Sequence, residues 1–278
     1  MTGFFASDPV RVALAAGAAA AAVSGVVGVF TVVRGQSFAG HALGDLGTLG
    51  GSGAYLAGVN PLWGFVGIGA VVAATMELLG VQRRRGRDVA TGVVLGAALA
   101  ISALLLYLDT VHTSTTGASV AILFGSLFAL SPGSLPAMAG LAAAGTVAVV
   151  LAYRPLLLSS VDPGLAAARG VRVRALGLGF LVLMGVTVSL TSMVVGTVLS
   201  PALLVGPAAM ALRLTRRPAA AMVLAAVIGI AATWAGVVLA YASYRWPPAH
   251  QGWPVSFFVV AIVFVAYLVV ELRTWLAA

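Results

Sequence analysis

Lysine and cysteine are both absent from this 278-residue chain. Without lysine there is no G-x-x-x-x-G-K phosphate loop, so the chain carries no P-loop ATPase site of its own. A lysine Schiff base is excluded on the same ground. Without cysteine there are no disulfides, no thiolate metal ligands and no thiol nucleophile. Charge is scarce too: 8% of residues are charged, against roughly 25% in a soluble domain. No serine stands in a recognised nucleophile motif, which leaves an enzymatic reading without its central group.

What the chain does have is apolar. It is 61% hydrophobic, with a mean hydropathy of +1.11. Apolar runs long enough to cross a bilayer, roughly 20 residues each, recur along its whole length. They are continuous rather than alternating, which argues for helices and against a β-barrel. The expected fold is all-α, a polytopic transmembrane helical bundle forming a single domain over residues 1–278, multi-pass in the cell membrane. About eight full spans are expected, at residues 10–33, 37–58, 61–79, 89–108, 135–153, 175–199, 219–241 and 255–275. Residues 117–130 and 201–214 are shorter and are interrupted or bounded by Gly125, Pro132, Pro201, Gly206 and Pro207. Broken segments of this kind line cavities, because their freed backbone groups need water or protein partners. Asp8 precedes Arg11, so no basic leader stands before the first run, which reads as a retained helix.

All 15 basic residues are arginine, and they set the net charge at +8. They fall in short loops between the spans, where they fix orientation rather than bind nucleic acid. Arg83, Arg84, Arg85 and Arg87 mark one cytoplasmic loop. Arg154, Arg169, Arg172 and Arg174 mark a second, Arg213, Arg216 and Arg217 a third, and Arg273 puts the carboxyl end inside. Residues 109–116 and 244–254 then fall outside, and Trp246 and Trp253 flank the latter as interfacial anchors. Counting back places the amino terminus outside. His250 reads as outer-loop surface, Glu77 as a snorkelling or paired group, and Asp88 as a helix cap.

Within the second run, His41, Asp45, Thr48, Ser52 and Tyr55 recur at steps of four, three, four and three, which places them on one helix face. Beside them runs a stripe of Gly40, Gly44, Gly47 and Gly51, where another helix can come close. Ionisable groups are costly in lipid, so His41 and Asp45 should face a bundle interior or a polar path. Two readings stand for the pair, a path for a solute or a hydrogen-bonded lock between helices. The Ala-rich stretch 13–22 and the row Gly185, Ser189, Ser192 and Gly196 read as helix-packing faces. Asp109 and His112 form a second pair at i and i+3, either near an outer mouth or in a solvated outer loop.

Residues 160–170 read as a complete short helix in the cytoplasm. Asp162 is the N-cap and Pro163 the first helical residue. Leu165 and Ala166 follow, Arg169 lies in the last turn, and Gly170 is placed to leave in a left-handed conformation. It is either a plain connector or a docking device.

The segment Tyr153-Arg154 … Ser160-Val161-Asp162-Pro163-Gly164-Leu165-Ala166 … Arg169-Gly170-Val171 resembles the coupling-helix region of metal-type ABC transporter permeases, the zinc and manganese uptake family. Phe38-Ala39-Gly40-His41-Ala42-Leu43, Leu123-Phe124-Gly125-Ser126-Leu127, and Val194-Val195-Gly196-Thr197-Val198-Leu199 with Ala202-Leu203-Leu204-Val205-Gly206-Pro207-Ala208-Ala209 resemble further stretches of that family. The order and spacing match from about Arg34 to the end of the chain. The resemblance implies a homodimeric permease subunit with no enzyme activity of its own and no resident cofactor. Each copy would dock one cytoplasmic ATPase subunit through Asp162, Pro163, Leu165, Ala166, Arg169 and Gly170. An extracytoplasmic binding protein would deliver the metal. It further implies that His41 and Asp45 line the metal path, although many family members carry the Asp and His in the opposite order. With Asp109 and His112 they would supply two imidazole nitrogens and two carboxylate oxygens, a set suited to zinc or manganese. Two rivals remain: a permease of the siderophore or cobalamin type, and a stand-alone secondary transporter or channel.

Overall fold

The computed structural model describes residues 7–78, 87–113, 117–246 and 252–276. The expected arginines at 83–85, the polar residues at 114–116 and His250 lie outside them, as do the side chains of Glu77, Arg87 and Asp88. Every element among the described residues is helical. In chain order these are α1 (Asp8–Val33), α2 (Ser37–Leu56), α3 (Pro61–Leu78), α4 (Arg87–Thr113), α5 (Gly117–Phe124), α6 (Leu135–Leu151), α7 (Tyr153–Val161), α8 (Pro163–Ala168), α9 (Val173–Val195), α10 (Ser200–Leu214), α11 (Pro218–Ser243) and α12 (Val255–Leu276). Short 3₁₀ turns at Leu127–Ala129 and Pro132–Ser134 join α5 to α6.

The all-helical bundle is as expected, while length and apolarity among the described residues do not by themselves give eight full spans. Among the described residues six helices are long and apolar enough to cross a membrane: α1, α4, α6, α9, α11 and α12. Helix α2 is 20 residues long but carries the polar stripe and is not among the six. Pro61–Val72 within α3 and Ser200–Leu214 are apolar but shorter.

Helices α1 and α9 form the centre, with 67% and 72% of their apolar windows buried against 22% for α4 and α12. Apolar burial supplies little drive between helices in lipid, so close backbone approach has to do the packing. Gly17, Ala21 and Gly25 of α1 meet Thr233, Gly229 and Ala225 of α11, an antiparallel seam stepping four residues at a time. A Cβ at Gly25 would collide with the backbone at Ala226, and one at Gly28 with the Leu204 carbonyl of α10. The small-residue face expected around residues 13–22 is therefore the seam with α11. The glycine stripe of α2 is used as expected. Gly40 lies against Leu204 and Met184, Gly44 against Ser200 and Thr197, and Gly47 and Gly51 against Phe65 of α3.

Helix α5 is re-entrant. The chain leaves α4 and enters α6 at the end of the bundle opposite α8, so residues 117–134 dip in and return. The dip turns at Gly125 (φ +80°), and α9 breaks at Gly196 (φ +86°). The two breaks satisfy each other: Thr197 N–H donates to the Ile122 carbonyl at 3.1 Å and Val198 N–H to the Leu123 carbonyl at 3.4 Å. The Thr197 hydroxyl adds a bond to Ile122 at 3.3 Å. Neither glycine has room for a side chain, because a Cβ on either would strike the other's segment. The interruption expected at Gly206 and Pro207 is absent, for α10 runs unbroken through Pro207. The break comes earlier, between Val195 and Ser200. Its 15 residues make α10 about 22 Å long, against about 39 Å for the 26-residue α11. The start of α10 is therefore recessed within the bundle. At its far end Arg213 pairs with Glu271 of α12 at 3.0 Å.

Gly196→Ala is expected to lower stability by at least about 2 kcal/mol, from left-handed strain plus collision. Gly140→Ala, on the open face of α6 with nothing within 4 Å, is expected to be neutral or to stabilise by up to about 1 kcal/mol. Thermal melting of the two variants in detergent checks both.

Candidate functional site

The polar stripe of α2 runs from the arginine-bearing end toward the opposite end, and its surroundings change along the way. His41 and Asp45 come first, with His41 Nε2 and Asp45 Oδ2 at 3.5 Å. The imidazole is 47% exposed on the flank of the bundle and the carboxylate 19%. Thr48 and Ser52 follow, both buried. Thr48 Oγ1 bonds Ser102 of α4 at 2.9 Å and also contacts the Asp45 carbonyl, while Ser102 donates to Ala98 at 2.8 Å and Ser52 to Thr48 at 2.6 Å. Tyr55, at the far end, lines an open cavity of about 750 Å³ with Asn60, Ser126, Ser131, Ser134 and Met193. Asn60 Nδ2 donates to Ser134 Oγ at 2.8 Å, which holds the α2–α3 turn to the start of α6.

The helix breaks stand between the cavity and the ionisable pair. Gly125 and Met193 line the cavity, whereas Thr197 and Ser200, on the far side of the junction, sit against Gly44 next to Asp45. The polar face therefore runs from an open cavity, past a closed middle, to an ionisable pair.

The second pair occupies a different level. Thr48–Ser102 and Gly53–Leu105 show that α2 and α4 run parallel. From that register Asp45 lies about 4.5 Å toward the arginines and Asp109 about 10 Å the other way, so roughly 15 Å of helix axis separates the carboxylates. Asp109 is buried and His112 exposed, so the i, i+3 neighbours do not share an environment. Among the described residues no three His, Asp or Glu side chains gather to hold an ion. The structure thus brings together His41 and Asp45 but not the expected set of four within one chain. Sequence periodicity could not find Ser102, because its role depends on the register of α4 against α2.

At the arginine-bearing end α8 has the expected cap, proline and exit, but it is only six residues long, with Ser160 and Val161 ending α7 and Arg169 as its C-cap. Leu165 N–H donates to Asp162 Oδ1 at 2.9 Å, Pro163 opens the helix and Gly170 leaves it at φ +80°. Leu165 and Arg169 are exposed, whereas Ala166 is fully buried. The preceding α7 was not legible in the sequence. Only Asp162 separates it from α8.

Comparison with known proteins bears on the family and the fold. The family model described as ABC 3 transport family matches residues 7–271. A manganese transport system membrane protein of Halalkalibacterium halodurans is 31% identical over 218 residues, covering 77% of this chain and 73% of the relative. A manganese import system permease protein of Streptococcus parasanguinis is 30% identical over 220 residues, covering 79% of this chain and 77% of the relative. Among solved structures, PsaBC from Streptococcus pneumoniae in complex with Fab superposes with a TM-score of 0.83 at 23% identity, over 97% of this chain and 93% of that one. At that identity the superposition speaks to the fold alone.

The hydroxyl contact between α2 and α4 is open to a double-mutant cycle of Thr48→Val and Ser102→Ala. Thermal unfolding in detergent is expected to give a coupling energy of about 0.6 kcal/mol, and no more than about 1.7.

Proposed function

The chain belongs to the ABC 3 transport family, and on that premise we propose that it is the membrane permease subunit of an ATP-driven importer of a divalent transition metal, with manganese as cargo. The observation that carries the reading is the imidazole–carboxylate pair His41–Asp45 on a membrane helix, in line with a cavity at one end and a docking helix at the other. Ionisable groups within such a bundle serve a solute path or a lock. The pair here touches across one helix rather than between two, which favours the path. Imidazole nitrogen and carboxylate oxygen suit manganese and zinc alike, and zinc binds such donors more tightly. The choice of manganese rests on the cargo named for the relatives.

The arginine-bearing end is assigned to the cytoplasm by the loop-charge rule. There Leu165 and Arg169 offer an exposed ridge to a separate ATPase subunit, with Asp162, Pro163 and Gly170 fixing its shape and Ala166 seating it on the bundle. The cavity at the opposite end is where an extracytoplasmic binding protein would release the ion. A second copy of the chain completes the assembly. A half-exposed imidazole facing acyl chains is costly, and a two-fold partner on the α2 flank would shelter it and bring a second His41–Asp45 pair to the same axis. Two pairs restore the four-ligand count that one chain lacks.

In proteoliposomes holding the permease, its ATPase and a metal-loaded binding protein, Asp45→Asn and His41→Gln are each expected to lower manganese uptake at least about tenfold, the scale of a lost ion ligand. Complex yield should not change. Full uptake in both variants refutes the path. Leu165→Glu is expected to abolish co-purification of the ATPase, and Ala166→Glu to lower the yield of folded permease instead.

A further inference from the structure

We infer that Arg34 is a positioning residue that ties the docking helix to the ionisable pair, an inference that rests on the ATP-driven reading above. Arg34 ends α1, and its side chain reaches two other helices at once. Nη1 donates to Ser159 Oγ of α7 at 3.1 Å, and the guanidinium stands 5.3 Å above the Phe180 ring of α9. Ser159 is buried and passes its own hydrogen to the Leu156 carbonyl at 3.0 Å, so its oxygen is held as the acceptor. One turn earlier, Phe30 is 1% exposed and sets its ring against Tyr153 of α7 at 6.0 Å and Phe180 at 6.4 Å, both edge-on. The last turn of α1 is thus pinned to α7 and α9 by an aromatic wedge and a charged fork.

Both ends of this contact lead onward without slack. Ser159 lies three residues before Asp162, which alone joins α7 to α8 and whose carboxylate caps α8. On the other side, α1 turns into α2 through a closed loop. Gly35 N–H bonds the Val32 carbonyl at 3.0 Å and Gln36 N–H the Thr31 carbonyl at 2.8 Å, with Gly35 left-handed at φ +64°. Helix α2 begins at the next residue, Ser37, and His41 is four residues on. A displacement of α8 can therefore reach the start of α2 through α7 and the two contacts it makes with the last turn of α1, Arg34–Ser159 and Phe30–Tyr153, flanked by two short connectors. A guanidinium suits the post because it donates in plane to Ser159 while stacking on Phe180. A lysine ammonium can donate to a hydroxyl or sit over a ring, but it lacks the planar spread that serves both partners at once.

The chain's lack of cysteine permits a direct test. Phe38, 57% exposed in the first turn of α2, is changed to cysteine as the sole thiol. Its maleimide labelling rate is compared with and without a non-hydrolysable ATP analogue in the assembled complex, and metal ions moved per ATP are measured alongside. Arg34→Met is expected to keep the ATPase bound and hydrolysing ATP. It should cut both the nucleotide-dependent change in labelling and the transport ratio by about fivefold or more, the size of an allosteric coupling. Arg34→Lys should fall between, and Ser159→Ala should reproduce part of the loss. The Arg34→Met, Ser159→Ala double variant should be no worse than Arg34→Met alone. Should Arg34→Met not assemble, Ser159→Ala decides alone. A wild-type labelling response and transport ratio in these variants, or fully additive losses, overturns the inference. A wild-type complex that shows the nucleotide response yet moves neither manganese nor zinc overturns the cargo reading and leaves Arg34 to be judged on labelling.

Discussion

The hydrocarbon interior offers backbone amides no water, and everything distinctive in this bundle follows from that. Two segments, at residues 125–126 and 196–199, leave helical geometry inside the protein. Each supplies the other's missing hydrogen-bond partners. Because the junction is buried, α10 starts well below the end of the bundle. Its first turn meets α2 at Gly44, beside Asp45. The position of the ionisable pair relative to the cavity is thus a by-product of where two helices stop.

Much of this was written in the sequence, and the parts that were not share a cause. The stripe of polar residues and the adjacent glycines of α2 follow from helical periodicity alone, and the α8 cap follows from the chemistry of Asp162, Pro163 and Gly170. The place of the helix break did not follow. Gly206 and Pro207 look like the stronger interruption, yet α10 absorbs Pro207 while α9 stops at Gly196. A proline deletes one donor, whereas a left-handed residue redirects the chain, and the sequence does not announce which glycine is left-handed. The two ionisable pairs stand at different levels because two helices that each carry such a pair need not carry it at the same depth. Thr48–Ser102 fixes that depth, and it is a tertiary contact. Arg34–Ser159, 125 residues apart, was out of reach for the same reason.

The contrast between the two ends of the bundle has a physical basis. At the arginine-bearing end, the connectors among the described residues are short. One residue separates α7 from α8, a closed loop joins α1 to α2, and Arg213 and Glu271 tie α10 to α12. At the other end the chain dips in, turns and leaves a cavity held by side-chain hydroxyl and amide contacts among Asn60, Ser131 and Ser134. A stiff end suits the transmission of force, and an adaptable one suits the receipt of a solute.

The glycines at the helix crossings carry an evolutionary consequence. At Gly25, Gly28, Gly50 and Gly64 the nearest atom that forbids a side chain is a main-chain atom of the neighbouring helix. A clash with a side chain can be relieved by trimming the neighbour, so such positions drift in pairs. A clash with a carbonyl or amide has no compensating substitution anywhere in the chain. Descendants of this sequence can therefore exchange nearly every lipid-facing residue while these four positions stay fixed, each for a reason that involves no other amino acid's identity.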